Sequence, residues 1–121
     1  METTIHEGLI KEIVGKLVQL SEENHWTNGE AREAVNVVYA FIKNSILTEE
    51  VQYDTSAVRD IVSQNADTLA EELNFQNLDV AVSTERAVAV LSVLHEQHCM
   101  ISDARIALVQ AKDYFKNRVR I

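Results

Sequence analysis

Apolar residues surround nearly the whole circumference of the stretch from Ser83 to Met100 when it is drawn as a helix. A helix of this kind usually packs against several neighbours. A β-strand is the alternative, because valine favours strands, but the tract is long and no turn residue interrupts it. We therefore predict a central helix near residues 84–100. Its inward and lateral apolar residues are Ala87, Val88, Ala89, Val90, Leu91, Val93 and Leu94.

Apolar stripes with the helical period of about 3.6 residues predict four further helices. The first spans about residues 4–20, the second 28–47 and the third 55–73, and the last occupies the C-terminal region. The short polar link between the first two helices predicts an antiparallel hairpin. The predicted fold class is therefore all-α, a single-domain bundle of about five helices over residues 1–121.

Capping boxes mark the predicted starts of the first two helices. Thr4 is followed three residues later by Glu7, and Thr27 is followed in the same way by Glu30. In each pair the threonine hydroxyl and the glutamate carboxylate accept hydrogen bonds from the unpaired amides of the first helical turn. These pairs predict where the helices begin more sharply than the apolar pattern does.

The predicted buried and polar faces of the helices assign a place to each of four further residues. Ile46 is predicted to be buried near the end of the second helix, and Glu33 to lie on its polar face. Asn65 falls among the apolar residues of the third helix. His98 continues the apolar seam of Leu94, where a hydrogen-bonded core histidine is the simplest interpretation.

The two ends of the central helix each leave a choice. Ser83 or Thr84 is the expected N-cap at its start. Beyond its other end the apolar seam continues to Phe115, and an unbroken helix of ~34 residues would be ~50 Å long. Alternatively, Ser102 is the N-cap of a separate last helix. We favour the break, because Ser102-Asp103 is a poor helix interior and a good helix start.

Charge is distributed unevenly along the chain. The net charge is −8, but residues 1–104 carry −12 and residues 105–121 carry +4. An acidic body repels nucleic acid and anionic lipid. We therefore expect no direct nucleic-acid partner and no membrane partner.

The composition is that of a helical protein in a reducing compartment. Proline is absent and only three glycines occur, so the usual turn residues are scarce. The single cysteine, Cys99, cannot form an internal disulfide. Charged residues interrupt the N-terminal apolar pattern, which is not that of a signal peptide. No segment approaches the roughly 20 apolar residues of a membrane span. We expect a cytoplasmic protein.

A cluster of metal-ligand residue types lies near the end of the central helix. His95 and His98 are three residues apart and can share a helix face, and Cys99 adjoins them. A zinc site would need further ligands, such as His6 or His25. A structural role is the stronger interpretation, and we predict no bound metal and no cofactor.

No motif for catalysis is present. The Glu22-x-x-His25 spacing of di-iron bundles occurs only once, and such sites need it twice. The paired glutamates do not form the repeated Glu-x-x-Glu elements of a magnesium site. Neither a nucleophile elbow nor a phosphate-binding glycine loop occurs. We predict that the protein is not an enzyme.

Two stripes of like charge provide candidate partner-binding residues. The acidic face consists of Asp60, Asp67 and Glu71 on the third helix. The basic strip has the same spacing on the last helix and consists of Arg105, Lys112 and Lys116. Each stripe is either an ordinary solvated surface or part of an interface. Exposed ion pairs contribute only ~0–1 kcal/mol each, so such stripes orient a partner more than they bind it.

Affinity would need apolar contacts in addition. The apolar arc of the first helix is wider than one neighbour requires, and Ile10, Val14 and Val18 lie at its edge. We take them as candidate self-association residues. The leading hypothesis is a non-catalytic module that binds an unidentified protein, with a homodimer as one form.

Two further hypotheses belong to other classes of function. In the first, the acidic face imitates nucleic acid and the protein is an inhibitor of a DNA- or RNA-binding protein. In the second, the bundle binds a small ligand or metal through His6, His95, His98 and Cys99.

Overall fold

The computed structural model describes residues 6–65 and 79–117, and these residues form an all-α bundle. The prediction of an all-helical fold is confirmed. Apart from the helices, the described residues contain one isolated antiparallel bridge, between Glu50 and Met100. Within the same residues, no helix has both the length and the apolar character needed to cross a membrane. The five described helices are α1 (Glu7–Glu23), α2 (Asn28–Ile42), α3 (Thr55–Gln64), α4 (Val80–Glu96) and α5 (Ile101–Asn117).

Two helices occupy the middle of the bundle. Helix α4 packs against α1, α2 and α3, which confirms the central position predicted for residues 84–100. Helix α2 is equally central, since it packs against α3, α4 and α5. The fully buried residues of α4 and α5 include Ala87, Val90, Leu91, Leu94, Ala104, Ala107, Leu108 and Ala111.

The predicted start of α2 is confirmed in detail. The Glu30 amide donates to the Thr27 hydroxyl over 3.1 Å, and the Thr27 amide donates to the Glu30 carboxylate over 2.9 Å. The start predicted for α1 at Thr4 lies outside the described residues. In the structure α1 begins at Glu7, and the side chain of its N-cap residue, His6, makes no capping bond.

Two other predicted helix ends are wrong. Helix α2 ends at Ile42 instead of Leu47, and Ile46 is 62% exposed rather than buried. Helix α1 continues past Leu20 to Glu23, and within it the buried Ser21 hydroxyl donates to the Val18 carbonyl.

The ends of α3 and α4 also differ from prediction. Helix α3 ends at Gln64, and Asn65 donates from both its amide and its side chain to the Ile61 carbonyl. The predicted end at Leu73 lies outside the described residues. The N-cap of α4 is Asp79 rather than Ser83 or Thr84, because the Asp79 carboxylate accepts from the amides of the first turn.

A sharp turn separates α4 from α5, as predicted. Helix α4 ends at Glu96, and α5 begins at Ile101, one residue before the predicted cap at Ser102. His98 adopts the left-handed conformation, with φ of 51°, in the turn between the two helices. It is exposed, so its predicted position in the core is wrong. The neighbouring Cys99 is buried instead, at 2% exposure.

A buried ion pair joins the two central helices. Glu33 is fully buried, although the sequence pattern placed it on the polar face of α2. Its Oε1 accepts from the Arg86 guanidinium of α4 at 3.0 Å, and Arg86 also donates to the buried Ser83 hydroxyl. The Glu33 Oε2 atom has no hydrogen-bond partner among the described residues. The pair fixes α2 and α4 relative to each other.

Removal of one member of this pair is expected to destabilise the fold strongly. R86M leaves the Glu33 carboxylate buried without its cation, and we expect a loss of about 3–5 kcal/mol in the free energy of unfolding. The double variant E33M/R86M removes both charges and should recover most of that loss. Urea denaturation measures the free energy of unfolding of the wild type, R86M and E33M/R86M. The control is R59M, on the exposed face of α3. Equal stability of R86M and R59M would contradict the prediction.

The positive φ of His98 gives a second stability prediction. Glycine has no Cβ penalty in this conformation, whereas another residue incurs ~1–2 kcal/mol. H98G and H98A lose the same imidazole and differ only in the Cβ atom. We therefore expect H98G to be about 1 kcal/mol more stable than H98A. At Gln97, whose φ is −79° and ψ −8°, the order should reverse, so that Q97A is more stable than Q97G. Urea denaturation compares the two pairs, and the same order at both positions would refute the argument.

Candidate interaction surface

Helix α5 presents apolar residues on both its inner and its outer face. The inner face is buried against α1 and α2. On the outer face Ile106 is 45% exposed and Val109 is 47% exposed. Residues three apart lie on the same side of a helix. These two side chains therefore form one apolar patch on the outside of the bundle.

The patch is part of a groove between α2 and α5, which we call the α2/α5 groove. The groove has a volume of about 340 Å³. One wall comes from α5, one from the end of α2, and the third from the loop that follows α2. The lining residues are Tyr39, Leu47, Ser102, Arg105, Ile106 and Val109.

Backbone and side-chain contacts hold the walls in place. The Ser102 amide donates to the Leu47 carbonyl over 3.1 Å, which places the 47% exposed Leu47 side chain beside α5. The Ile101 amide donates to the Glu49 carbonyl over 2.8 Å. Across the groove, Arg105 lies 5.8 Å from the centre of the Tyr39 ring and donates to its hydroxyl over 3.4 Å. The groove is therefore formed before any partner binds.

The basic strip begins in this groove at Arg105 and continues past it along α5. Arg105, Val109, Lys112 and Lys116 follow the i, i+4, i+7, i+11 spacing of one helix face. Arg105 and Lys112 are half-buried, and Lys116 is exposed. The sequence analysis had identified the basic strip as a candidate surface. The structure shows that the strip lies beside the exposed apolar residues Ile106 and Val109.

The predicted self-association residues of α1 are less exposed than the sequence pattern indicated. Ile10 is 4% exposed and belongs to the core, so it offers no surface to a partner. Val14 and Val18 are half-buried against the core. Val14 also lines a shallow depression of about 410 Å³ between α1 and α5, beside Tyr114. A role in self-association stays a prediction for Val14 and Val18.

The structure describes one residue of the acidic face. Asp60 is exposed on α3, whereas Asp67 and Glu71 lie outside the described residues. Acidic side chains before it, Glu49 and Glu50, are exposed in the loop between α2 and α3. The nucleic-acid-mimicking role of the acidic face stays a prediction.

The predicted histidine and cysteine cluster is partly assembled. His6 Nδ1 lies 2.7 Å from Oδ2 of Asp103, a residue that the sequence had not singled out. Both line a cavity of about 330 Å³ between α1 and the start of α5, together with His98 and Cys99. His95 instead places its Nδ1 at 3.3 Å from the Val51 carbonyl.

These side chains do not converge as metal ligands. In the part of the chain that the structure describes, no group of three or more His, Cys, Asp or Glu residues is placed to hold a metal ion. His98 is directed to Glu50, with 3.6 Å between Nδ1 and Oε1. His25 is exposed at the opposite end of α1.

Cys99 has the properties of a structural thiol. Burial raises its pKa from 9.0 to about 11, and nearby Asp103 and Glu50 act in the same direction. Its Sγ contacts the Leu94 carbonyl at 3.5 Å. A thiol with a raised pKa is protonated at neutral pH and is a poor nucleophile.

Sequence reasoning missed the apolar half of the interaction surface. Ile106 and Val109 fall outside the buried seam that Ile101, Leu108 and Phe115 form on α5. Their position away from this seam could have predicted an exposed apolar patch. Leu47 could not be found in this way, because the α2 pattern included it in a helix.

The raised pKa of Cys99 predicts how stability depends on pH. Between about pH 9 and 11 the unfolded chain loses the thiol proton while the folded chain retains it. The contribution of Cys99 is therefore complete below pH 9 and falls as the pH rises to about 11. Urea denaturation of the wild type and C99A at pH 8 and pH 10.5 isolates this contribution. A stability difference between the two proteins that is the same at both pH values would contradict the prediction.

Comparison with known proteins assigns no family to this chain. No protein-family model, no curated protein and no solved structure matches it.

Proposed function

We propose that this chain is a non-catalytic protein-interaction module that binds a partner protein through the α2/α5 groove. The observation that carries the proposal is the exposure of Leu47, Ile106 and Val109 in one groove on the outside of the bundle. Single exposed apolar residues are ordinary on protein surfaces, but a contiguous apolar groove with a polar rim is typical of an interaction site.

The groove has the features that give an interface its affinity. Tyr39 provides an aromatic wall, and Arg105 is held against it, and both residue types are enriched among the residues that dominate binding energy. The hydrogen bond from Ser102 to the Leu47 carbonyl fixes the third wall. A preformed site avoids much of the conformational entropy that ordering a loop on binding would cost.

Self-association through this groove is disfavoured by charge. Two α5 helices in contact would bring two basic strips together, and like charges across an interface reduce affinity. A homodimer that uses the α1 edge with Val14 and Val18 is the remaining form of the self-association hypothesis. Light scattering of the purified protein measures it independently of the groove.

A cytoplasmic location belongs to the same proposal. The sole cysteine of the sequence is a buried free thiol, which suits a reducing compartment. A protein that recognises another protein through an apolar groove would meet its partner there.

Charged substitutions in the groove test the proposal. I106E and V109E place a carboxylate where a partner's apolar side chains would pack, and we expect affinity to fall at least about tenfold. The matched control is V82E, because Val82 is an exposed valine, at 43%, on α4 and outside the groove.

The measurement has two steps. Affinity purification from the natural host with the wild type, V109E and V82E identifies proteins retained by the wild type and V82E. Each candidate is then purified, and its affinity for the three proteins is measured by calorimetry. The proposal fails if the purified partner binds V109E as tightly as the wild type while circular dichroism shows both to be folded.

A further inference from the structure

We infer that the occupant of the α2/α5 groove is an amphipathic helical segment of a partner protein, with carboxylates beside its apolar residues. This inference rests on the proposed function and adds the chemistry of the partner. Its basis is that Arg105 lines the groove and that Lys112 and Lys116 continue the same face of α5 beyond Val109.

The cations of the basic strip form no ion pair with a carboxylate of residues 6–65 or 79–117. Arg105 contacts the ring and hydroxyl of Tyr39, which carry no charge to balance it. Among the described residues, neither Lys112 nor Lys116 forms an ion pair with a carboxylate. Two acids lie on α5: Asp103 is buried against His6, and Asp113 is exposed and directly follows Lys112. Counted together with Asp113, the strip carries a net charge of +2.

The rest of the molecule makes this strip distinctive. Residues 1–104 carry a net charge of −12, so an acidic segment is repelled over most of the surface and attracted at the basic strip. Electrostatic complementarity of this kind steers and orients a partner, while the apolar contacts supply affinity. Leu47, Ile106 and Val109 provide those contacts in the adjacent groove.

The spacing of the strip indicates the length of the occupant. Arg105 and Lys116 are 11 residues apart on α5, which corresponds to about 16 Å or three helical turns. An amphipathic helix of about three turns matches that distance, with apolar residues at i, i+3 or i+4, and i+7 in the groove. Acidic residues on its neighbouring face would then meet the basic strip.

Other ligands fit less well. A second copy placed with α5 against α5 would oppose two basic strips. Nucleic acid would meet the same cations, but it has no use for the apolar wall of Ile106 and Val109 and is repelled by the net charge of −8. The experiment separates these ligands from an acidic helix.

A displayed library of random helical peptides tests the inference. Peptides are selected on the wild-type protein and counter-selected on V109E, so that only groove-dependent sequences remain. We expect these sequences to combine an i, i+3/i+4, i+7 apolar pattern with an excess of Asp and Glu. Groove-dependent peptides without an excess of Asp and Glu would overturn the inference, but they would still support the proposed function. Failure to obtain any groove-dependent peptide would overturn both.

Charge-neutralising variants then test the strip directly with the best selected peptide. K112Q/K116Q should weaken its binding about fivefold or more at low salt, and added salt should reduce the difference. The matched control is K11Q/K16Q, since Lys11 and Lys16 are exposed lysines of α1 outside the groove. Equal weakening by the two double variants would overturn the inference.

A labelled single-stranded oligonucleotide serves as the competing probe. We expect no measurable binding of it to the wild-type protein at physiological salt. Binding that is lost in K112Q/K116Q and retained in V109E would assign the strip to nucleic acid and overturn the inference.

Discussion

Backbone hydrogen bonds fasten the loop after α2 to the start of α5, and the candidate site depends on them. The first amides of a helix have no partner within it. In α5 the amides of Ile101 and Ser102 donate to the carbonyls of Glu49 and Leu47, and the Val51 amide donates to the Cys99 carbonyl. This contact pairs the first amides of α5 and holds Leu47 at the rim of the groove. A side-chain cap at Ser102 is not needed, because the Glu49 and Leu47 carbonyls accept hydrogen bonds from the first amides of α5.

The groove and the charge distribution support one mode of action. The basic strip and the apolar residues Ile106 and Val109 share the outer face of α5, while the rest of the chain is strongly acidic. An acidic amphipathic helix would therefore be guided to a single face and anchored there. The histidine and cysteine cluster lacks converging metal ligands in the described residues, and Cys99 is a protonated, buried thiol.

The sequence determined the class of fold and much of its organisation. The all-round apolar pattern of residues 84–100 predicted a central helix, and Thr27 with Glu30 fixed the start of α2. Both depend on interactions between residues close in the chain, so local periodicity and capping chemistry reveal them. The break near Ser102 was also visible, and so was the basic strip, because its spacing follows from helical geometry alone.

Tertiary structure alone decided the other features. Glu33 is buried because Arg86, 53 residues later in the chain, neutralises it, and no local pattern could pair the two. Ile46 and Leu47 lie outside α2 because the loop bonds to α5. His98 is exposed because α4 ends at Glu96, so that His98 lies in the turn and not on the buried face of a helix. The α2/α5 groove joins residues from two helices and a loop, so only their packing could bring it together with the basic strip. Local sequence sets which elements form, and long-range hydrogen bonds and charges set which of their faces stay open.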